Sequence, residues 1–299
     1  MRNVSLRIAA IAVTLAVAAP AAATNGMRMI GFGPVQNSMG GVSVAVPLDS
    51  STVITNPAGM SLLERRLDIA GTAFMPSPSY SAQGAASGST IDSDRPTDFI
   101  PTLGAIYRTT EKVAVGVAAM GTTGMGVDYP ADLFGSSTLT SYLNFRLAPA
   151  VSYRLTDRLS VGVAANLMFA QMEYEVLDAL GVSPRDAAGS FGYGATVGLV
   201  FRAPENITLG AAYETRSQFQ DFEFDIPAHQ QVNPQTGQPV PIPGGTEKLA
   251  FDQPDALTVG LSFRPAAPLL CAVDVQWIRW SRTNGENQPA FTTDPNLTG

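Results

Sequence analysis

The stretch Tyr107-Arg108-Thr109-Thr110-Glu111-Lys112-Val113-Ala114-Val115-Gly116-Val117 decides the fold, because its design occurs four times. It returns at Tyr153-Arg154 with Leu159-Ser160-Val161-Gly162-Val163, at Phe201-Arg202 with Ile207-Thr208-Leu209-Gly210, and at Phe263-Arg264 with Leu269-Leu270-Cys271-Ala272-Val273. In every copy the aromatic residue precedes Gly or, in the last, Ala by nine positions, so turn length and register are held.

Counted from the aromatic, positions −2, 0, +6, +8 and +10 are apolar in nearly every copy, as in Leu199, Phe201, Ile207, Leu209 and Ala211. The intervening positions are small or polar, as in Gly198, Thr208 and Gly210. A period of two means strands with one apolar face. A soluble sandwich would alternate in the same way, so the connections decide. Short turns alternate with long linkers, from Pro76 to Ile100, Thr122 to Asn144, Glu173 to Ala188 and Ser217 to Pro254. Short turns on one side, long loops on the other and aromatics at strand ends are the signature of an outer-membrane barrel. The chain reads as all-β, a transmembrane antiparallel β-barrel.

Composition agrees. Charged residues are 14%, against roughly 25% in soluble proteins. The net charge of −7 and the absence of a Lys/Arg cluster argue against nucleic acid as a partner. Met1 to Ala23 has Arg2 and Arg7, an apolar run from Ile8 to Ala19 and Ala21-Ala22-Ala23 before Thr24, which reads as a secretory signal peptide. No later segment approaches the roughly 20 apolar residues of a membrane helix, so a membrane would be crossed by strands.

The lone Cys271 falls on an outward, lipid-facing position beside Leu269 and Val273, and the lone His229 reads as a solvated loop residue. Neither suggests a metal site or a cofactor, and none is expected. A nucleophile and base within reach of each other are not apparent, so no catalytic residue is assigned and the protein is not expected to be an enzyme.

Residues 24–64 have another texture, with Gly31-Phe32-Gly33-Pro34, Met39-Gly40-Gly41-Val42 and Asn56-Pro57-Ala58-Gly59. Met27, Met29, Ile30, Phe32, Val42, Val44 and Val46 need burial, yet turn residues break any long element. A compact plug inside the barrel satisfies both facts. The alternation turns Gly104, Gly116, Gly162, Gly198, Gly210 and Gly260 inward near the short turns, with Ala150, Ser262 and Ala272. Such a wall leaves room where the plug enters. The expected organisation is 1–23 signal peptide, 24–64 hatch or plug, and 65–299 barrel.

The signal peptide, the Gly-Gly turn, the Asn56-Pro57-Ala58-Gly59 motif and the stretch Asp274-Val275-Gln276-Trp277-Ile278-Arg279-Trp280-Ser281 resemble the FadL/TodX family of outer-membrane long-chain fatty acid and aromatic hydrocarbon transporters. The resemblance implies a fourteen-stranded barrel closed by an N-terminal hatch. It further implies a monomer in outer-membrane lipid that passes hydrophobic molecules inward without an energy source. In the family a kink in the third strand opens a lateral gap. The sequence Gly121-Thr122-Thr123-Gly124-Met125-Gly126 is compatible with one and equally with an ordinary strand end, and Asn56, Pro57 and Ala58 are placed at the hatch end facing that wall, as gating residues.

Nine strands are counted, between Leu67 and Trp280. Single-chain bacterial barrels have an even number, and 283–299 reads as the start of another long loop. The expectation is a C-terminally incomplete sequence, about five strands short of the family pattern.

Lumenal positions further from the short turns become polar: Asn166, Glu214, Arg216, Asp274 and Gln276. Glu214 and Arg216 lie two apart and suggest an internal ion pair, with Arg216 the candidate cation for a fatty acid carboxylate. The linkers are apolar, with Leu133, Phe134, Leu139, Tyr142 and Leu143 in one and Phe219, Phe222, Phe224 and Ile226 in another. They either form a first contact for a hydrophobic ligand, with Leu133, Phe134, Phe219 and Phe222 as candidate binding residues, or pack together as a cap. A gated hydrophobic channel is the leading reading, with a general porin or structural barrel as the alternative.

Overall fold

The computed structural model describes residues 25–81, 90–129, 138–178, 181–233, 235–266, 268–283 and 291–293. The signal-peptide expectation, Leu133 and Phe134 lie outside them.

The wall is a single antiparallel sheet of strands β1 (Arg66–Phe74), β2 (Asp98–Arg108), β3 (Val113–Tyr129), β4 (Thr138–Arg154), β5 (Leu159–Asp178), β6 (Gly181–Ala203), β7 (Ile207–Glu214), β8 (Ala256–Ala266) and β9 (Leu269–Ile278), each beside its sequence neighbour. The nine expected wall strands are all present. Among the described residues β1 pairs only with β2 and β9 only with β8, so the sheet is open between them. The repeated cassettes are its short hairpins.

Which face is dry identifies the solvent. The inward side chains Ala114, Ala148, Ala164 and Ala212 are at most 5% exposed, whereas the outward Leu103, Val117, Val163, Leu199, Leu261 and Val273 are 41% to 50% exposed. A contiguous apolar face of this extent is unstable in water. It suits lipid, where the backbone is satisfied within the sheet. Tyr107, Tyr153 and Phe263 stand exposed at the short-turn rim.

Two expectations about the linkers are corrected. Thr122 to Asn144 and Glu173 to Ala188 are largely strand, because β3 and β4 have 17 residues each, β5 has 20 and β6 has 23. About ten residues cross a bilayer, so these strands continue beyond it. The long linker after β7 carries strands of its own. His229 begins the hairpin strand His229–Val232, paired with Pro239–Ile242. Phe222–Ile226, Gly245–Leu249 and Phe291–Thr293 form a separate three-stranded sheet. Its Phe222, Phe224 and Leu249 are buried against Tyr142, Ala170 and Met172 of the wall. These apolar linker residues therefore pack as a cap. Glu247 fastens the cap, accepting from Arg185 Nη2 at 2.7 Å and from the Tyr174 hydroxyl at 2.8 Å.

Residues 25–64 form the plug. It comprises helices α1 (Pro34–Ser38) and α2 (Thr52–Thr55) and a 3-10 helix, Pro57–Leu62. Phe32, Val53, Ile54 and Met60 share one buried cluster with Ile106, Ala114, Ala118, Met120 and Ala148 of the wall. Most of the plug's apolar residues thus find their burial in the lumen; Ile30, expected to do so, is 72% exposed instead. Its Gly-Gly turn needs Gly41, whose φ of 87° lies in the left-handed region and whose added Cβ would meet the Ile30 carbonyl.

Candidate functional site: the plug and the seam beside it

The inward glycines meet the plug one by one. A Cβ would strike Ser50 at Gly104, Met60 and Val53 at Gly116, and Ala58 and Pro57 at Gly162. It would strike Asn56 and Pro57 at Gly198 and the Val44 backbone at Gly210, while at Gly260 it would meet Asp274 and Val44. The small residues of the repeated cassette thus make the space that the plug fills.

The Asn56-Pro57-Ala58 motif has a local reason. Asn56 caps the 3-10 helix by accepting from the Ala58 N–H at 3.3 Å, and Pro57 occupies the first helical position, where a missing N–H costs nothing. Asn56 Nδ2 donates to the Val44 carbonyl at 2.7 Å and to the Leu199 carbonyl of β6 at 3.1 Å. The motif thus ties the plug to itself and to the wall. It lies against Gly162 of β5 and Gly198 of β6. This corrects its expected position facing the third-strand break.

Further bonds fasten the plug on both flanks of the sheet. Asp68 of β1 accepts from the Ser50 N–H at 2.8 Å, and Asp274 of β9 accepts from the Ser43 N–H at 2.7 Å and the Val44 N–H at 3.1 Å. Ser61 Oγ donates to Ser160 Oγ of β5 at 2.7 Å. The Ser61 carbonyl accepts from Arg108 at 3.2 Å and Arg154 at 2.5 Å, the arginines of the first two cassettes.

The third strand holds the seam. The β2–β3 ladder stops at Thr102↔Met120, although β2 continues to Asp98 beside β1 and β3 continues to Tyr129 beside β4. Between Gly121 and Thr123 the β3–β4 register shifts by a bulge. The strand does not end at its glycines, as one sequence reading allowed; it bends there and loses one neighbour. The plug's first residues take over part of that edge. The Met29 N–H donates to the Thr122 carbonyl at 3.2 Å, and the Gly124 N–H donates to the Met27 carbonyl at 3.0 Å. At the far end the Asp94 N–H donates to the Asp128 carbonyl at 2.8 Å, which closes the seam again.

A cavity of about 250 Å³ lies in this seam. Met29 and the buried Asn144 line it on the lumen side, and the exposed Phe99, Leu143 and Phe145 on the lipid side, so both faces of the wall contribute to it. Gly121, Gly124 and Gly126 all line it.

Arg28, which pairs with Thr123 at the bulge, also reaches across to Glu214 of β7 at 2.5 Å. Glu214 accepts a second bond from Arg146 of β4 at 2.6 Å. Arg146 is 2% exposed, and its Nε and Nη1 have no hydrogen-bond partner among the described residues. The expected pair of Glu214 with Arg216 is therefore corrected. Strand β7 ends at Glu214, and the buried Ser217 bridges Gln253, so the two-residue alternation breaks before Arg216. Arg216 is 41% exposed and pairs with Asp252 at 2.7 Å. Phe219 lies over Gly192 of β6, and Phe222, in the cap sheet, is wholly enclosed between the cap and the wall. Asn166 donates to Thr196 at 2.9 Å, and Gln276 donates to Thr258 at 3.0 Å.

Sequence reasoning missed Arg28, Arg146 and Arg95, the last of which lines the seam cavity beside Asp98. Arg146 had a signal, a charge at an inward position between the lipid-facing Phe145 and Leu147; the other two lie in irregular segments without one.

An open-ended run of lipid-facing antiparallel strands around a bolted plug defines an outer-membrane barrel with a filled lumen. A profile of the family described as outer membrane protein transport protein (OMPP1/FadL/TodX) matches residues 11–285, and the chain belongs to that family of outer-membrane channels for hydrophobic compounds. Among solved structures, the CymD monoaromatic hydrocarbon channel is 18% identical with a TM-score of 0.69, covering 87% of this chain and 71% of its own. The Ralstonia pickettii toluene transporter TbuX is 19% identical with a TM-score of 0.70, over 90% of this chain and 78% of its own. A Pseudomonas aeruginosa FadL homologue is 15% identical with a TM-score of 0.61, over 81% and 68%. At these identities the likeness is one of fold. Curated proteins give no match.

Proposed function

We propose that the protein is a passive, non-enzymatic channel for long-chain fatty acids or aromatic hydrocarbons, in which the plug body stays in the lumen and substrate leaves sideways through the seam between β2 and β3. One observation carries this reading. The plug residues Met27–Met29 hydrogen-bond to β3 where β2 withdraws, beside a cavity lined by residues of both wall faces. Movement of those few residues widens the opening while the rest of the plug remains fastened. Family members that pass monoaromatic hydrocarbons and toluene support the substrate class.

The monomer in outer-membrane lipid is the working unit in this reading. The test is uptake of labelled long-chain fatty acid and toluene by cells that lack their own outer-membrane transporter and express the protein, with a small sugar as control. Uptake of either hydrophobic compound without sugar entry is expected. Sugar entry without hydrophobic uptake overturns the reading in favour of a general porin.

A further inference from the structure

The seam cavity is mostly apolar, with Thr123, Asn144 and Gln171 as uncharged polar residues and charge at one place. Its lining contains a single ion pair among the described residues, Arg95 and Asp98, beside Phe99, Ile100, Met125 and Phe145. Arg95 is brought there by its neighbours. The Asp94 N–H donates to the Asp128 carbonyl, and the Asp128 N–H donates to Ser93 Oγ at 2.9 Å, so the turn before Arg95 is pinned to the end of β3. The guanidinium then lies directly over Gly126, where a Cβ would sit 2.4 Å from Arg95 Nη1. The side chain is 7% exposed.

A guanidinium with this little water needs an anionic partner. The one it has is loosely held. Asp98 receives both bonds from Nη2 alone, at 3.2 and 3.3 Å. By contrast, Arg185 grips Glu247 through two nitrogens at 2.9 and 2.7 Å, and Arg146 reaches Glu214 at 2.6 Å. Close charge-assisted bonds run at about 2.7–2.9 Å. Asp98 is also the better solvated partner, at 23% exposure, so it loses little by turning away.

We infer that Arg95 reads the headgroup of a substrate in the seam: it takes the carboxylate of an amphiphile with an apolar tail, displacing Asp98, which stands in for that carboxylate when the seam is empty. This deepens the proposed channel function and rests on it. The apolar lining accommodates the tail, and neutral hydrocarbons pass with the Arg95–Asp98 pair closed. The pair thus sets the preference between fatty acids and neutral hydrocarbons.

The test is uptake of labelled laurate and labelled toluene, in cells lacking their own transporter, by the unaltered protein and by Arg95→Met, Arg95→Lys and Asp98→Asn. The laurate-to-toluene ratio should fall roughly tenfold in Arg95→Met, the scale of one charge-assisted hydrogen bond. It should recover largely in Arg95→Lys and rise in Asp98→Asn. A ratio that stays constant across the variants overturns the inference while leaving the channel intact, as does toluene uptake without laurate uptake by the unaltered protein. Uptake of neither compound overturns the channel reading itself. Should Arg95→Met fail to reach the outer membrane, Asp98→Asn decides: an unchanged or lower ratio overturns the inference.

Discussion

Arg28 of the plug and Glu214 of β7 meet at 2.5 Å, and the backbone of the same Arg28 pairs with Thr123 at the bulge of β3. One residue therefore joins the edge of the plug to the seam and to the opposite wall. Glu214 also holds the buried Arg146, so its removal strands two cations. Glu214→Ala should lower stability by about 3–5 kcal/mol, as expected when a buried pair loses its shared anion. Arg28→Ala should cost less, because Arg146 keeps Glu214. Thermal unfolding in detergent checks the order, and equal losses would refute the sharing.

Asn56→Ala removes the bonds to the Val44 and Leu199 carbonyls and the helix cap together. Leaving buried acceptors unpaired costs roughly 1–3 kcal/mol each. The plug should loosen, seen as faster hydrogen exchange in residues 43–46 and 56–60 and measurable sugar entry. Unchanged exchange would remove the motif's anchoring role.

Gly198→Val puts a branched side chain where a Cβ alone would lie 2.0 Å from Asn56 Oδ1. Overpacking of this kind costs about 1–3 kcal/mol. The strain should fall on the plug rather than the wall, so far-ultraviolet dichroism is expected to keep its strand signal while protease gains access to the plug.

Gly124→Trp tests the seam. A Cβ at Gly124 has its nearest neighbours at 3.6 Å, in Leu143 and Tyr142, so the substitution starts without a clash and its ring extends into the cavity. Hydrophobic uptake should fall towards that of cells without the channel, with the protein still folded. Undiminished uptake would move the exit elsewhere.

Much of the wall was legible because lipid makes one strand face apolar and the plug makes the other small. Gly162 and Gly198 showed this before any contact was known. The polar lumen was harder. Glu214 announced itself by parity, but its partners Arg28 and Arg146 come from the plug and from β4, and no spacing along the chain links them. Arg216 misled because alternation holds only while the strand continues, and β7 stops at Glu214. The seam was half legible: Gly121, Gly124 and Gly126 marked an irregularity, whereas the loss of β2 is a fact of pairing. Arg95 gave no signal, since its burial depends on Asp94 and Asp128 meeting.

The central claim is that the plug body stays while substrate passes the seam. Ser61 and Ser160 offer the direct test, their hydroxyl oxygens being 2.7 Å apart. In a Cys271→Ser background, Ser61→Cys with Ser160→Cys should form a disulfide that fastens the plug to β5. The measurement is uptake of labelled toluene and laurate with the disulfide closed and after reduction. The account expects uptake to persist with the disulfide closed; uptake abolished on closure and restored by reductant would contradict it, showing that the whole plug must leave the lumen.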